Sequence, residues 1–474
     1  MSPGPPSADP GPSPPNARAG LAAALAVGIV VLSVIVLPQA NPRASRPPNV
    51  VVILTDDQPN DSIPNPDAIM PFLQGRAFDP NDHWVVFDHA FVNTPLCCPS
   101  RATMLTGRYA HHTGVLHNED GEKLDESSTI ATWLHAAGYH TGLIGKYLNH
   151  YPYGGPGYVP PGWDVWAARH HGAVGLLYYG YTLVEQTRTV QYGHADTDYS
   201  TDVFAGKAVD FIREAPSDRP FFLWFAPMAP HSPWTPAPGD AGSFAGLRLP
   251  ASPSFDERDV SDKPAWVRAL PELDAASRVA MRANHRRSYE ALLSVDDAVR
   301  RIVDAIRSRG ELRDTVVIFT TDNGLAFGEH RWDLKSCPYA VCVQVPLMIR
   351  MPDVEHRTES EMVSAVDLAP TILELAGVRP VAPFDGSSLV SLLRTGSREG
   401  LPGELYAEFA GSDTIPPWWE VRTQRFAYVE LGTGERELYA LRDDPAELVN
   451  VVDLPAYGDE IARLAATLEA YRSA

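Results

Sequence analysis

The stretch "SYEALLSVDDAVRRIVDAIRSRGELRDTVVIFTTDNG", Ser288 to Gly324, decides the fold class. Apolar residues recur at helical spacing up to Ile306, Gly310 stops the helix, and a β-branched run follows that ends on Asp322 and Asn323. An amphipathic helix feeding a wholly apolar strand is the building unit of a sheet covered on both faces. The unit recurs. "NVVVILTDDQPN" is an apolar strand over Val50 to Leu54 that ends on Thr55, Asp56 and Asp57. "STIATWLHAAGYHTGLIGKY" reads as a helix, a turn at Gly138 and a strand into Gly145 and Lys146. "PFFLWFAPMAPHSPW" is a strand running into a loop at His231. Strands alternating with helices predict an α/β domain, a mixed, mostly parallel sheet sandwiched by helices. Polar residues gather just past the strand C-termini, where such sheets bind ligands.

From about Pro380 the pattern changes to short strands ("GELYAEFA", "FAYVELG", "RELYAL") and a final helix, Tyr457 to Arg472. The expected division is a catalytic domain over 47–379 and a smaller C-terminal α+β subdomain over 380–474. Ahead of both, residues 1–18 are rich in Pro, Ser and Gly and lack the apolar side chains of a core, so disorder is expected there. Residues 19–40 contain "GLAAALAVGIVVLSVIVL", an uncharged run that suits a membrane-spanning helix better than the shorter core of a signal peptide. Pro38 disfavours a cleavage site after Ala40. The expectation is an uncleaved anchor that holds the domain at the cell surface, with secretion as the alternative.

A formal net charge of −20 argues against a nucleic-acid partner, because phosphate backbones are held by a surplus of Lys and Arg. An anionic substrate would need a local basic pocket against that field. The candidate chemistry follows from the strand ends. Asp56, Asp57, Asp322 and Asn323 offer oxygen ligands suited to a hard cation, Ca²⁺ or Mg²⁺, and poorly suited to Zn²⁺. Either pair alone is a turn or a helix cap; two at corresponding strand ends point to a metal. Arg101, Lys146, His231 and Lys335 stand in turn-like stretches, and singly each reads as a surface charge or a structural histidine. Together they can clamp a tetrahedral oxyanion above the cation, with His231 or Lys335 protonating a leaving oxygen. The Gly-rich "DNGLAFGEHRWDLK" is a loop able to fold back and bring Lys335 over the metal.

"CCPSRATMLTGR", Cys97 to Arg108, resembles the sulfatase signature Cys-x-Pro-Ser-Arg followed by a Thr-Gly pair. The likeness extends through "LTDDQPN", "GKY", "APHSPW", "DNGLAFGEH", "VDLAPTILELAG", "DGSSL" and "ELYALRDDPAELVN", nearly the whole globular part. "GKYLNHY" followed by "YVPPGW" is most similar to the N-acetylglucosamine-6-sulfatase and extracellular heparan endosulfatase branch. The resemblance implies an alkaline-phosphatase-like fold and a calcium-dependent hydrolase of sulfate monoesters. It implies that a formylglycine-generating enzyme oxidises Cys97 to Cα-formylglycine, whose hydrate is the nucleophile. Asp56, Asp57, Asp322 and Asn323 would hold Ca²⁺, with the Cys97-derived hydrate as a further ligand and Asp322 in reach as its base. Arg101 would steady the hydrate; Lys146, His231 and Lys335 would bind sulfate. Attack at sulfur leaves a sulfo-enzyme hemiester, and loss of the remaining hydroxyl proton expels sulfate.

Two positions depart from the family pattern. Leu148 stands where many arylsulfatases carry a histidine that takes that last proton, so the second-step base is unassigned, with Asn149, His150 and His111 as nearby candidates. In "KSCPYA", Ala340 replaces an acidic residue, which should affect loop packing more than chemistry. Cys337 and Cys342 are either a disulfide bracing the Lys335 loop or two reduced, buried thiols. Cys98 reads as a packed thiol, a strained bond to Cys97 being the alternative. The substrate implied is a sulfated amino sugar or glycosaminoglycan, or an aryl sulfate for a broader enzyme. "YVPPGWDVW" and Trp234 are candidates for a sugar-stacking rim. A phosphoester or phosphonate hydrolase of the same superfamily, and a dead binding protein with unoxidised Cys97, are the competing readings. Substrate specificity is expected to lie in loops such as Ala167 to Asp198 and Pro236 to Ala275, which carry no readable motif.

Overall fold

A computed structural model of the chain describes Met1 and residues 46–171, 177–248, 252–379 and 383–473. The chain divides into Met1–Arg46 and a compact unit, Pro47–Ala474. The apolar run Gly20 to Leu37 and the boundary near Pro380 lie outside the described residues. Among the described residues no helix is long and apolar enough to cross a membrane.

The alternation of side chains along a strand explains the layers. In Asn49–Thr55, Val50, Val52 and Leu54 enter one core while Val51 and Ile53 enter another. Helices Ser200–Glu214 and Ala275–Ser308 cover the second core through Phe204, Ile212, Leu292, Val299 and Ile306. Cys97–Thr106, Ile130–Ala136 and Leu368–Ala376 cover the first through Leu105, Leu134 and Ile372. A strand apolar on both faces can sit only between two such layers. The sheet has ten strands. At its centre Thr315–Thr321, Asn49–Thr55, Phe221–Ala226, His140–Gly145 and Val165–Arg169 are neighbours and parallel, and antiparallel pairs occur only outside this central group.

Three expectations need revision. The quoted helix begins earlier, at Ala275, where the Asp274 carboxylate accepts from Ser277 N at 2.7 Å as an N-cap. Residues 167–198 are not a specificity loop throughout: Val165–Arg169, Thr182–Glu185 and Arg188–Gln191 extend the main sheet. The C-terminal region gains a fourth strand, Trp418–Arg422, which the adjacent Pro416-Pro417 pair masks in the sequence. It lies between Leu405–Phe409 and Phe426–Leu431, with Arg436–Ala440 completing an antiparallel sheet. Helix Gly458–Ser473 packs Ile461, Leu464 and Leu468 on one face of that sheet. On the other face, Ala427 and Tyr439 pack with Cys337, Tyr339 and Cys342.

Candidate active site

Strand register assembles the floor. Thr55 and Thr321 are paired across parallel strands, so Asp56-Asp57 and Asp322-Asn323 emerge side by side. Asp322 Oδ1 accepts from Asp57 N at 3.1 Å, and Asn323 Nδ2 donates to Asp57 Oδ1 at 2.8 Å. Next to them Gly145 ends its strand at φ 117°, where a Cβ would lie 1.9 Å from Ala226 O. Only glycine permits that approach, and it delivers Lys146, whose Nζ donates to Asp56 Oδ2 at 2.7 Å.

Cys97 opens the buried helix Cys97–Thr106, which ends at Gly107 in the left-handed region. Pro99 is tolerated because it falls in the first turn, where its missing N–H has no helical acceptor. Arg101 lies four residues after Cys97 and so on the same helix face. Its Nε donates to Asp322 Oδ2 at 2.7 Å and its Nη1 to Lys146 O at 2.9 Å. The Cys97 Sγ lies 3.5 Å from Asp56 Oδ1 and 3.8 Å from Asp57 Oδ1, with Lys335 Nζ 2.8 Å away. Lys335 Nζ also donates to Asp57 Oδ1 at 2.6 Å. His231 Nδ1 donates to Ser232 O at 2.6 Å, which turns Nε2 towards Asp57 Oδ2 at 3.5 Å.

Burial alone would raise the Asp56 carboxyl, but Lys146, His231, Arg101 and Lys335 together hold it well below its ordinary value. Asp57 is likewise lowered against its burial, chiefly by Lys335 and His231. Asp322 goes the other way, raised by burial and by the Asp56 charge despite Arg101 and Lys146. Burial also pushes the Cys97 thiol far up in spite of both lysines, so an unmodified Cys97 is protonated and a poor nucleophile. Asn323 Oδ1 is buried with no hydrogen-bond partner. Ligand atoms of Asp56, Asp57, Cys97 and His231 lie within 4.8 Å of one another. An unsatisfied amide oxygen beside clustered carboxylates is the donor set a hard cation takes, so these residues fit Ca²⁺ or Mg²⁺.

All nine residues expected from the sequence therefore meet in one place. The weaker candidates do not join them equally. His111 Nδ1 is engaged with Glu408 Oε1 at 2.7 Å, and His150 packs its ring 4.2 Å from that of His171. Asn149 Oδ1 is buried without a partner, and Leu148 is in the core. In "YVPPGWDVW" the expected rim is narrowed: Trp166 is buried, whereas Trp163 is partly exposed and stacks on Phe222. Trp234 remains partly exposed and packs against Phe327. Cys97 and Cys98 are unpaired, and burial raises the Cys98 thiol to about 12, as a packed residue. Cys337 and Cys342 form a disulfide next to the Lys335 loop, and Ala340 N donates to Glu447 Oε2 at 2.7 Å.

The sequence reading missed Trp418, whose indole N–H donates to Ser336 O at 2.9 Å beside Lys335. It also missed Asn118, whose Oδ1 accepts from Cys98 N at 3.0 Å, and Arg169 at the end of a central strand. An arginine directly after the apolar "VWAA" was the available signal, equivalent to Lys146 after "GLIG".

Compared with protein families, residues 48–378 match the family described as Sulfatase. This chain belongs to the sulfatase family. Residues 328–474 match the family described as N-sulphoglucosamine sulphohydrolase, C-terminal. This sulfatase is thus a sulfuric ester hydrolase, with the alkaline-phosphatase-like fold expected from its sequence. It is 32% identical to the N-acetylglucosamine-6-sulfatase of Homo sapiens over 90% of this chain and 82% of that protein. It is 31% identical to an extracellular sulfatase SULF-1 homologue of Drosophila melanogaster over 78% of this chain, but only 34% of that longer protein. A solved structure of a protein in complex with its substrate D-glucosamine-2-N,6-O-disulfate superposes with a TM-score of 0.78. That likeness, at 24% identity over 90% of this chain and 98% of the other, is one of fold.

Proposed function

We propose that this sulfatase is calcium-dependent and hydrolyses sulfate monoesters of amino sugars of the glycosaminoglycan type, with formylglycine derived from Cys97 as nucleophile. The observation that carries the reading is the placement of Cys97 Sγ between Asp56, Asp57 and Lys335, with Arg101 one helical turn behind it. The sulfur atom marks where the hydrate oxygens of formylglycine would lie. Oxidation matters because the buried thiol is held protonated, whereas an aldehyde hydrate supplies an oxygen nucleophile. Asp56, Asp57, Asp322 and Asn323 would hold Ca²⁺, which polarises a sulfate oxygen and the hydrate when bound.

Charge balance supports an anionic substrate. The carboxylates of Asp56, Asp57 and Asp322 are matched by Arg101, Lys146 and Lys335. A bound dication would leave the pocket positive by about two charges, and a sulfate monoester, a monoanion, would offset part of that excess. Arg101 and Lys146, buried at 1% and 9% side-chain exposure, form the fixed back wall. His231 and Lys335, at 28% and 16%, stand on the open side, where the alcohol must leave. There His231 Nε2 or Lys335 Nζ gives the departing oxygen its proton. Amino-sugar specificity rests on the human relative named above, and action outside the cytoplasm on the Cys337–Cys342 disulfide and the extracellular relative.

Peptide mass spectrometry across Cys97 tests the nucleophile: conversion of CH₂SH to CHO lowers the mass by about 18 Da. Active protein with unmodified Cys97 would refute it. Saturation kinetics on paired 4-nitrophenyl sulfate and phosphate, then on glucosamine 6-O-sulfate, test the substrate class; preference for phosphate would sink the sulfatase chemistry proposed here.

A further inference from the structure

Arg169 has no role in the site described so far. Its strand, Val165–Arg169, runs parallel to His140–Gly145 with Ala168 opposite Gly145. Arg169 is therefore the next residue along, level with Lys146 on the same rim of strand ends. Its guanidinium is partly buried, and Nε is buried with no hydrogen-bond acceptor among the described residues. Burial pulls it below its ordinary value, and the carboxylate that opposes this is Asp56, whose Oδ2 already accepts from Lys146. The flanking imidazole adds no acceptor of opposite charge. Burial lowers His171 to about 4, with His150, Arg169, Lys146 and His170 pressing the same way, so it is neutral at physiological pH. A buried guanidinium without an anion is costly. In a chain of net charge −20, this rim holds a cation whose Nε has no acceptor among the described residues.

We propose that Arg169 is the core of a second oxyanion subsite, next to the one that takes the cleaved sulfate, and that it reads a further negative group on the same substrate. The inference rests on the amino-sugar reading above. The group is an oxyanion, because the planar guanidinium fork matches carboxylate and sulfate geometry bidentately. Two sources carry it: a sulfamate on the sugar that bears the scissile ester, or the carboxylate of an adjoining uronic acid. Arg169 would select multiply charged saccharides over singly sulfated ones.

The test is binding to full-length Cys97→Ala protein, which cannot be oxidised or turn over, measured by calorimetry with Ca²⁺ present. The ligands are D-glucosamine 6-O-sulfate, D-glucosamine-2-N,6-O-disulfate, and a 6-O-sulfated glucosamine joined to a uronic acid. At least one doubly charged ligand should bind about tenfold or more tightly than the first, as expected for one charge-assisted pair. Which one does so identifies the source. Adding Arg169→Gln should remove that preference, and Arg169→Lys, which keeps the charge but not the fork, should remove part of it. The Lys variant also serves if the Gln variant fails to fold.

No preference in the Cys97→Ala protein, or an equal loss on all three ligands when Arg169 is changed, overturns the proposal; the second result would place Arg169 on the cleaved sulfate. Turnover by the unmutated enzyme separates this from the substrate reading. An Arg169-dependent preference with no hydrolysis of any of the three sugars keeps the subsite and removes the substrate reading. Hydrolysis with no Arg169-dependent preference does the reverse.

Discussion

Trp418→Phe tests whether the C-terminal sheet sets the position of Lys335. Trp418 is fully buried and its indole N–H donates to Ser336 O at 2.9 Å. Leu334 and Ser336, on either side of Lys335, have φ of 82° and 76°, a region that costs side-chain-bearing residues about 1–3 kcal/mol each. Such a backbone persists only when its surroundings over-determine it. Here the anchors are Trp418, Trp332 Nε1 to Lys335 O at 2.9 Å, and Ser336 Oγ to Pro95 O at 3.3 Å. Phenylalanine leaves a buried carbonyl unsatisfied, about 1–3 kcal/mol, and a gap where the indole was, about 1 kcal/mol more. The unfolding entropy of a chain unit this size is about 0.9 kcal/mol per kelvin, so Tm should fall by about 2–5 °C. Activity should fall further than stability. Lys335 Nζ now sits 2.6 Å from Asp57 Oδ1, and a displacement of about 1 Å in such a group costs roughly a hundredfold. The expected result is kcat/KM down about 10- to 100-fold on 4-nitrophenyl sulfate, with the modified fraction of Cys97 unchanged by mass spectrometry. A Tm loss of this size with kcat/KM within about twofold of the parent refutes the coupling, since a displacement of Lys335 by about 1 Å should cost far more.

Cys97→Ala should abolish turnover and move Tm by less than about 2 °C, whereas Cys98→Ala should keep turnover and cost about 1 kcal/mol for the cavity; equal activity losses would contradict the division of labour between the two. Chelation with EGTA should stop hydrolysis and added Ca²⁺ should restore it, because Asn323 Oδ1 is buried without a partner beside the clustered ligand atoms of Asp56 and Asp57; activity that persists after exhaustive chelation would exclude the cation. Glu437 is fully buried, and burial lifts it from 4.5 to about 7 although Tyr439 and Tyr339 donate to it. Between those values the folded protein keeps a proton that the unfolded chain has lost, so stability falls as pH rises through the window, by about 3 kcal/mol. Glu437→Gln should remove that component, so that urea unfolding at pH 5 and pH 8 shows the variant gaining on the parent at the higher pH; a constant difference between the two would show that Glu437 does not hold the proton.

Much of the site is legible because strand ends are legible. An apolar run that stops on charged residues marks both the strand and the side of the sheet where ligands bind. Asp56-Asp57, Lys146, His231 and Asp322-Asn323 could be named before their distances were known. Cys97 and Arg101 followed from a helix spacing that the signature itself contains. What stayed illegible has one cause: it depends on which distant segments share an edge. Trp418 has no motif because its role is a single hydrogen bond to a loop 82 residues earlier. The aromatic run from Tyr158 to Trp166 looks the same whether it faces sugar or core, and only packing sends Trp166 inward.

The sequence by itself determined the fold class, the family and the chemical types at the centre, since these reside in local periodicity and in short fixed spacings. Tertiary structure decided the rest. Parallel register between Asn49–Thr55 and Thr315–Thr321 turned two separate polar pairs into one cluster. The register of Val165–Arg169 set an arginine, whose Nε has no acceptor among the described residues, level with Lys146. Register is fixed by the whole sheet and the helices that cover it, because a slip of one residue would turn every apolar side chain to the opposite face.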